Sequence, residues 1–250
     1  MDNPTISIEK QQSAAALRQH LQTAKSLRQQ ANGEPAAARD RLRLREWQAG
    51  RLARTHAELL ASARFGNAAQ FFLSDLYGPK DFSSRDEEVE RILPLLIKML
   101  PGSALRTVAL AVELDAISEL LDSAMVAVLC RRGVIEHIDE DTYAAAYRAV
   151  GCQPERQRQI ALIRETGEAL DRLARKPLLN TLLKLMRGPA HLAGLGDLHH
   201  FLESGFNAFR GMGSATAFLD SIDRKEQQLL SKLFAGTPCP FLVEAVDTAR

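Results

Sequence analysis

The chain predicts an all-α protein, a single domain of about eight to ten helices bundled around one central apolar helix. Three observations carry this reading. Apolar residues recur at three- and four-residue spacing in almost every segment, and no stretch sustains the alternation that a half-buried strand needs. Helix-start and helix-stop signals punctuate the chain between those segments. One long segment, Ala104 to Arg131, is apolar on two stripes, Leu105, Val108, Ala109, Val112 and Leu110, Leu114, Ile117, Leu121, which suits only a helix with neighbours on most sides.

A first helix, Ile8 to Ala31, aligns Leu17, Leu21, Ala24 and Leu27 and is polar elsewhere, so residues 1–33 read as a peripheral element ending at Gly33 with Pro35 beyond. A second, Ala36 to Arg64, aligns Leu52, His56, Leu59 and Ala63 until Gly66-Asn67 interrupts it. A short helix through Phe72 leads to the Gly78-Pro79 turn. Ser84 and Glu87 form a capping box that opens a helix to Leu100, kinked at Pro94. Pro101-Gly102 separates it from the central helix. Asp139 to Val150 is a short helix ended by Gly151, and Pro154 opens another with the core stripe Ile160, Ile163, Gly167, Leu170 and Ala174, where Gly167 implies a close crossing. Lys176-Pro177 and Gly188-Pro189 punctuate the next helix. Asp197 is placed as N-cap of Leu198 to Met212, Gly211 and Gly213 interrupt, and a last helix covers Ser214 to Phe234 before an irregular tail over 236–250.

Composition narrows the function classes. The 250 residues are 46% apolar and 25% charged, enough for one sizeable core, and the net charge of +1 gives no global pull toward nucleic acid or membrane. Charge is uneven: Met1 to Arg64 has 11 basic and 6 acidic residues, whereas Asp81 to Thr142 has 6 and 13. The basic face of Arg39, Arg41, Arg43, Arg45, Arg51 and Arg54 therefore reads as solvated or docked on the acidic half of the same fold. With Trp47 its only aromatic and no reading motif, it is not expected to bind nucleic acid. No run reaches the ~18 apolar residues of a membrane span. The N-terminus lacks the order of a signal peptide, and Cys130, Cys152 and Cys239 form neither a disulfide framework nor a metal clip, so a cytoplasmic protein is expected.

Two groups of residues are candidate sites. Asp75, Tyr77, Lys80, Asp81, Arg85 and Asp86 crowd around the stiff Gly78-Pro79 corner, where Lys80 and Arg85 could dock a partner or a small anion, or else clip the corner by pairing with Asp75. On the central helix Asp115, Glu119 and Asp122 fall on one stripe. Pairing with Arg51 and Arg54 of the arginine-rich second helix is expected there in place of metal, because the chain has no Glu-x-x-His of the two-metal bundles. His56 lies in an apolar stripe and reads as a buried core histidine, or as a general base or axial haem ligand. The nearest metal-like spacing, Asp197, His200 and Glu203, lies away from the apolar stripe of its helix. Phosphate loops, dinucleotide fingerprints, nucleophile elbows and zinc signatures are lacking, so no catalytic residue, cofactor or metal is assigned.

Phe71, Phe72, Asp75, Leu76, Tyr77, Gly78, Pro79, Lys80, Asp81, Phe82, Arg85 and Asp86 also carry a resemblance. Together with the runs Ala146 to Gly151, Arg158 to Ile160, Arg187 to Ala190 and Gly205 to Phe209, they resemble an uncharacterised family of bacterial helical proteins. The resemblance implies an all-α fold and brings no activity. The leading expectation is thus a module that binds a protein partner or itself through the corner. The alternative is an enzyme or carrier of a metal or haem, with a pocket between the central helix and the helices bearing His56 and His200.

Overall fold

Eleven α-helices and no strand make up the described part of the computed structural model, which covers residues 8–76 and 83–242, with side chains apart from those of 75, 76, 83–86 and 177. The order is α1 Ile8–Asn32, α2 Pro35–Thr55, α3 Ala57–Ala61, α4 Gly66–Phe71, a π-helical turn Phe72–Leu76, α5 Ser83–Met99, α6 Gly102–Arg131, α7 Glu140–Val150, α8 Gln153–Ala174, α9 Pro177–Leu192, α10 Gly196–Met212 and α11 Thr216–Ala235. The apolar α6 is the axis: α1, α2, α7 and α8 all pack against it.

Local chemistry explains most boundaries. Asp139 caps α7 by accepting from the Thr142 backbone N–H at 2.8 Å while its own N–H donates to Thr142 Oγ1 at 2.9 Å, which satisfies two orphan donors. Gly151 ends α7 at φ +68°, a conformation that costs glycine little. Proline stands in the first turn of α2, α8 and α9, where its missing N–H has no helical partner to lose.

Several boundaries differ from the sequence reading. The expected Ala36 to Arg64 helix breaks at His56, whose N–H closes α2 on Leu52 O while Lys225 Nζ takes the freed Thr55 carbonyl at 2.8 Å. Asp197 is not the N-cap of α10. The helix begins at Gly196, and Glu88 of α5 reaches across to accept from the Leu198 N–H at 2.8 Å, doing from a neighbouring helix what a cap does locally. Gly188-Pro189 does not divide α9, and α5 runs through Pro94 as expected; both prolines lie on exposed faces, where the carbonyl that each leaves unbonded is open to solvent. Helix α1, expected at the edge of the fold, lies along α6, burying Ala14, Leu17, Leu21, Ala24 and also Arg28.

The core has three apolar clusters. Phe71, Phe72, Phe206, Phe209 and Phe218 dominate one, in which Gly167 of α8 meets Leu219 of α11 so closely that a Cβ there would stand 2.5 Å from Leu219 Cδ2. Tyr143, Tyr147, Met125, Leu129 and Leu230 dominate the second, with Trp47 stacked on Tyr143 at 4.0 Å. Leu17, Leu21, Leu93, Ile97 and Leu105 form the third, between α1, α5 and α6. The first two clusters leave a gap between them. Among the described residues no helix is long and apolar enough to cross a membrane.

Candidate functional site

The gap between the aromatic clusters is a cavity of about 130 Å³. Its floor comes from α6, where Asp115, Ser118, Glu119 and Asp122 share one face at i, i+3, i+4 and i+7. Helix α2 contributes Arg45, Gln48, Arg51 and Leu52 and then, at its broken end, His56. Arg156, Gln159 and Ile160 arrive from α8, Tyr143 and Tyr147 from α7, and Glu226 from α11. The π-helical turn adds Phe72 and Leu73, in keeping with the tendency of such turns to sit at functional places.

On the α6 side the carboxylates are held by arginine. Glu119, only 1% exposed, receives Arg28 Nε at 3.1 Å and Arg45 Nη2, and its Oε2 lies 2.8 Å from Arg41 Nη2 as an ion pair outside hydrogen-bond geometry. Asp115 takes Arg28 Nη2 at 2.5 Å; Asp122 takes Arg45 Nε at 3.2 Å and Gln48 Nε2 at 3.1 Å. Arg41 further donates to the Glu119 carbonyl and to Ser123 Oγ, tying α2 to α6. Burial pulls the pKa of Arg41 down despite Glu119, whereas for Arg45 the pull of burial is outweighed by Asp122 and Glu119 and the pKa rises. The expected arginine pairing of this stripe is therefore present with different partners. Arg51 and Arg54 lie too far along α2 and bind Glu226 and Glu140 instead.

Across the cavity stands a second buried group. Glu226 Oε1 accepts from Arg51 Nη1 at 2.6 Å and lies 2.9 Å from His56 Nε2. Burial disfavours its charge, but Arg51 and His56 prevail and hold its pKa down at about 2. His56 is 6% exposed, and with Nε2 committed to Glu226 its Nδ1 has no partner. Burial pushes the Tyr147 phenol up, so that hydroxyl stays protonated. Arg156 lies over the Tyr147 ring, its guanidinium carbon 4.4 Å from the centroid. Arg156 is 6% exposed, and its Nε and Nη2 have no hydrogen-bond partner.

A family model described as a domain of unknown function, DUF8198, matches residues 27–240. The chain belongs to the DUF8198 family. No curated protein and no solved structure matches it. The matched span of the DUF8198 protein includes all the cavity-lining residues as well as Arg28 and Arg41.

Of the residues singled out from sequence, His56, Asp115, Glu119 and Asp122 meet at this cavity. His200 does not: it is exposed on α10, and the buried histidine there is His199, whose Nε2 lies 2.8 Å from the Leu183 carbonyl. In the corner group, Tyr77, Lys80 and Asp81 and the side chains of Asp75, Arg85 and Asp86 lie outside the described residues, as does the Ser84 side chain of the capping box. Sequence reasoning passed over Arg156 and Glu226. Both were findable, because each interrupts an apolar stripe in register: Arg156 four residues before Ile160, and Glu226 between Ile222 and Leu229.

Proposed function

We propose that this DUF8198 protein binds a small molecule in the cavity between α2, α6, α7, α8 and α11. One observation carries the reading: three side chains with unpartnered buried polar atoms, Arg51 (Nε), His56 (Nδ1) and Arg156 (Nε and Nη2), are all among the residues that line a single cavity. Native interiors leave few such atoms, and a group of them around a space is the mark of an occupant that supplies the missing hydrogen bonds. The apolar part of the wall, with Leu52, Phe72, Ile160 and Phe218, favours an organic occupant over water alone. Saturation-transfer NMR with benzyl alcohol is expected to show binding to the wild type and its loss in Ile163→Phe, which fills the space from the wall. Equal transfer to both proteins would refute enclosure in this cavity.

A second reading rests on a separate observation. Leu178 and Leu192 of α9 are 81% and 93% exposed, and with Leu182 and Leu185 they form a stripe spaced 4, 3 and 7, the spacing of a coiled-coil seam. The flanking positions Leu179, Thr181, Met186 and Gly188 carry no charge, so two identical stripes meet without repulsion. This supports self-association of two copies through α9. Light scattering should show a dimer for the wild type and a monomer for the Leu182→Glu, Leu185→Glu double variant; a monomeric wild type at high concentration would rule it out.

A further inference from the structure

We infer that the cavity ligand is a small organic monoanion, a monocarboxylate with a short aliphatic or aromatic body, held by Arg156. The inference rests on the reading of the cavity as a binding site and adds the chemistry of its occupant. It starts from charge. Around the cavity and its α6 network, five guanidiniums, those of Arg28, Arg41, Arg45, Arg51 and Arg156, face four carboxylates, those of Asp115, Glu119, Asp122 and Glu226. The first four arginines each have a carboxylate within ion-pair distance; among the described residues Arg156 has none. A buried cation without a counter-charge is costly, and stacking on Tyr147 offsets only part of that cost. One negative charge restores the balance.

The shape of the vacant donor set narrows the ligand further. Nε and Nη2 lie on the same edge of a guanidinium, and that edge binds a carboxylate through two parallel N–H···O bonds. Both of these nitrogens of Arg156 are unpartnered. A phosphate dianion would overcharge a site with one spare cation, and inorganic phosphate would leave the wall formed by Leu52, Ile160 and Phe218 without a partner. The volume of about 130 Å³ is close to that of cavities that hold benzene, so the hydrocarbon body is of that order. Gln159, whose Nε2 donates to Ser118 Oγ, and Tyr143 also belong to the lining.

Calorimetry and thermal melts on the full chain test this with sodium benzoate and sodium isovalerate, their neutral counterparts benzamide and isovaleramide, and inorganic phosphate. The carboxylates are expected to bind at least about tenfold more tightly than the amides, a difference of 1.4 kcal/mol, and to raise the melting temperature in proportion to log concentration. Phosphate is expected to give no saturable shift. Arg156→Met should melt no lower than the wild type, since it removes an unpaired buried charge, and should lose the preference for the acid while still binding the amide. Acids and amides bound equally by the wild type, or a preference that survives Arg156→Met, would overturn the anion inference and leave the cavity reading standing. Saturable binding of phosphate equal to that of benzoate would overturn the choice of carboxylate. Binding of none of the probes would overturn the cavity reading itself.

Discussion

Glu119→Ala is expected to cost about 3–5 kcal/mol of folding stability, enough to unfold a large share of an ordinary domain, because it strands buried charges. Three arginines lose a partner at once. Arg28 and Arg45 keep Asp115 and Asp122, but Arg41, 5% exposed, is left with hydrogen bonds to the Leu27 and Glu119 carbonyls and Ser123 Oγ and with no carboxylate. The network joins α1, α2 and α6, so its loss loosens the seating of two helices on the central one. Glu119→Gln preserves the shape and removes only the charge, and the larger share of the loss should already appear in it. Urea unfolding of the three proteins measures both effects. A loss below about 1 kcal/mol in Glu119→Ala would mean that the cluster is solvated like a surface ion pair and is not a buried one.

The all-α fold was legible in the sequence because it rests on periodicity and punctuation, which are local. The central place of α6 follows from its two apolar stripes, and a close helix crossing from Gly167, though not that its partner is Leu219 of α11. What local signals could not reveal is help that arrives from elsewhere in the chain. Glu88 caps α10 from α5, and Lys225 of α11 takes the carbonyl freed where α2 breaks at His56. The sequence could place Asp197 and a continuous second helix only by local rules, and tertiary contacts override both. Helix α1 is a related case. Its apolar stripe is narrow, and Arg28 reads as surface until Asp115 and Glu119 of α6 are seen to receive it.

The site was half legible. Three carboxylates on one stripe of an apolar helix must be buried or nearly so, and a surplus of arginine made their partners predictable in kind. Which arginines they are depends on how far along α2 contacts α6, a matter of helix docking and not of spacing. Arg156 and Glu226 show a general signal that a composition-minded reading misses: a single charge in register with core positions is either paired across an interface or waiting for a ligand. Glu226 is the first case; Arg156 has no carboxylate partner among the described residues and is the one that the proposal gives to a ligand.

Glu226 also gives the fold a measurable acid limb. An ordinary glutamate carboxyl titrates near 4.5, whereas that of folded Glu226 titrates at about 2, because Arg51 and His56 outweigh the burial that opposes its charge. The folded state therefore holds the charged form more strongly than the unfolded state does. The resulting stability is fully present above about pH 4.5 and drains away as the pH falls from there toward 2, with a total on the order of 3 kcal/mol. Other carboxylates also titrate in this window, among them Glu58 and Asp139, which are likewise held low, so the wild-type curve alone does not isolate the contribution. The comparison with Glu226→Gln does. At pH 7 the variant should be less stable, since Arg51 loses its counter-charge and His56 the carboxylate it is bonded to, and the gap between the two proteins should close as the pH approaches 2, where the wild-type carboxyl protonates too. Urea midpoints measured from pH 7 down to pH 2 decide it: two curves that run parallel through the whole range would show that the folded Glu226 carboxyl titrates like an ordinary glutamate and that the His56–Glu226–Arg51 group does not carry the buried charge assigned to it.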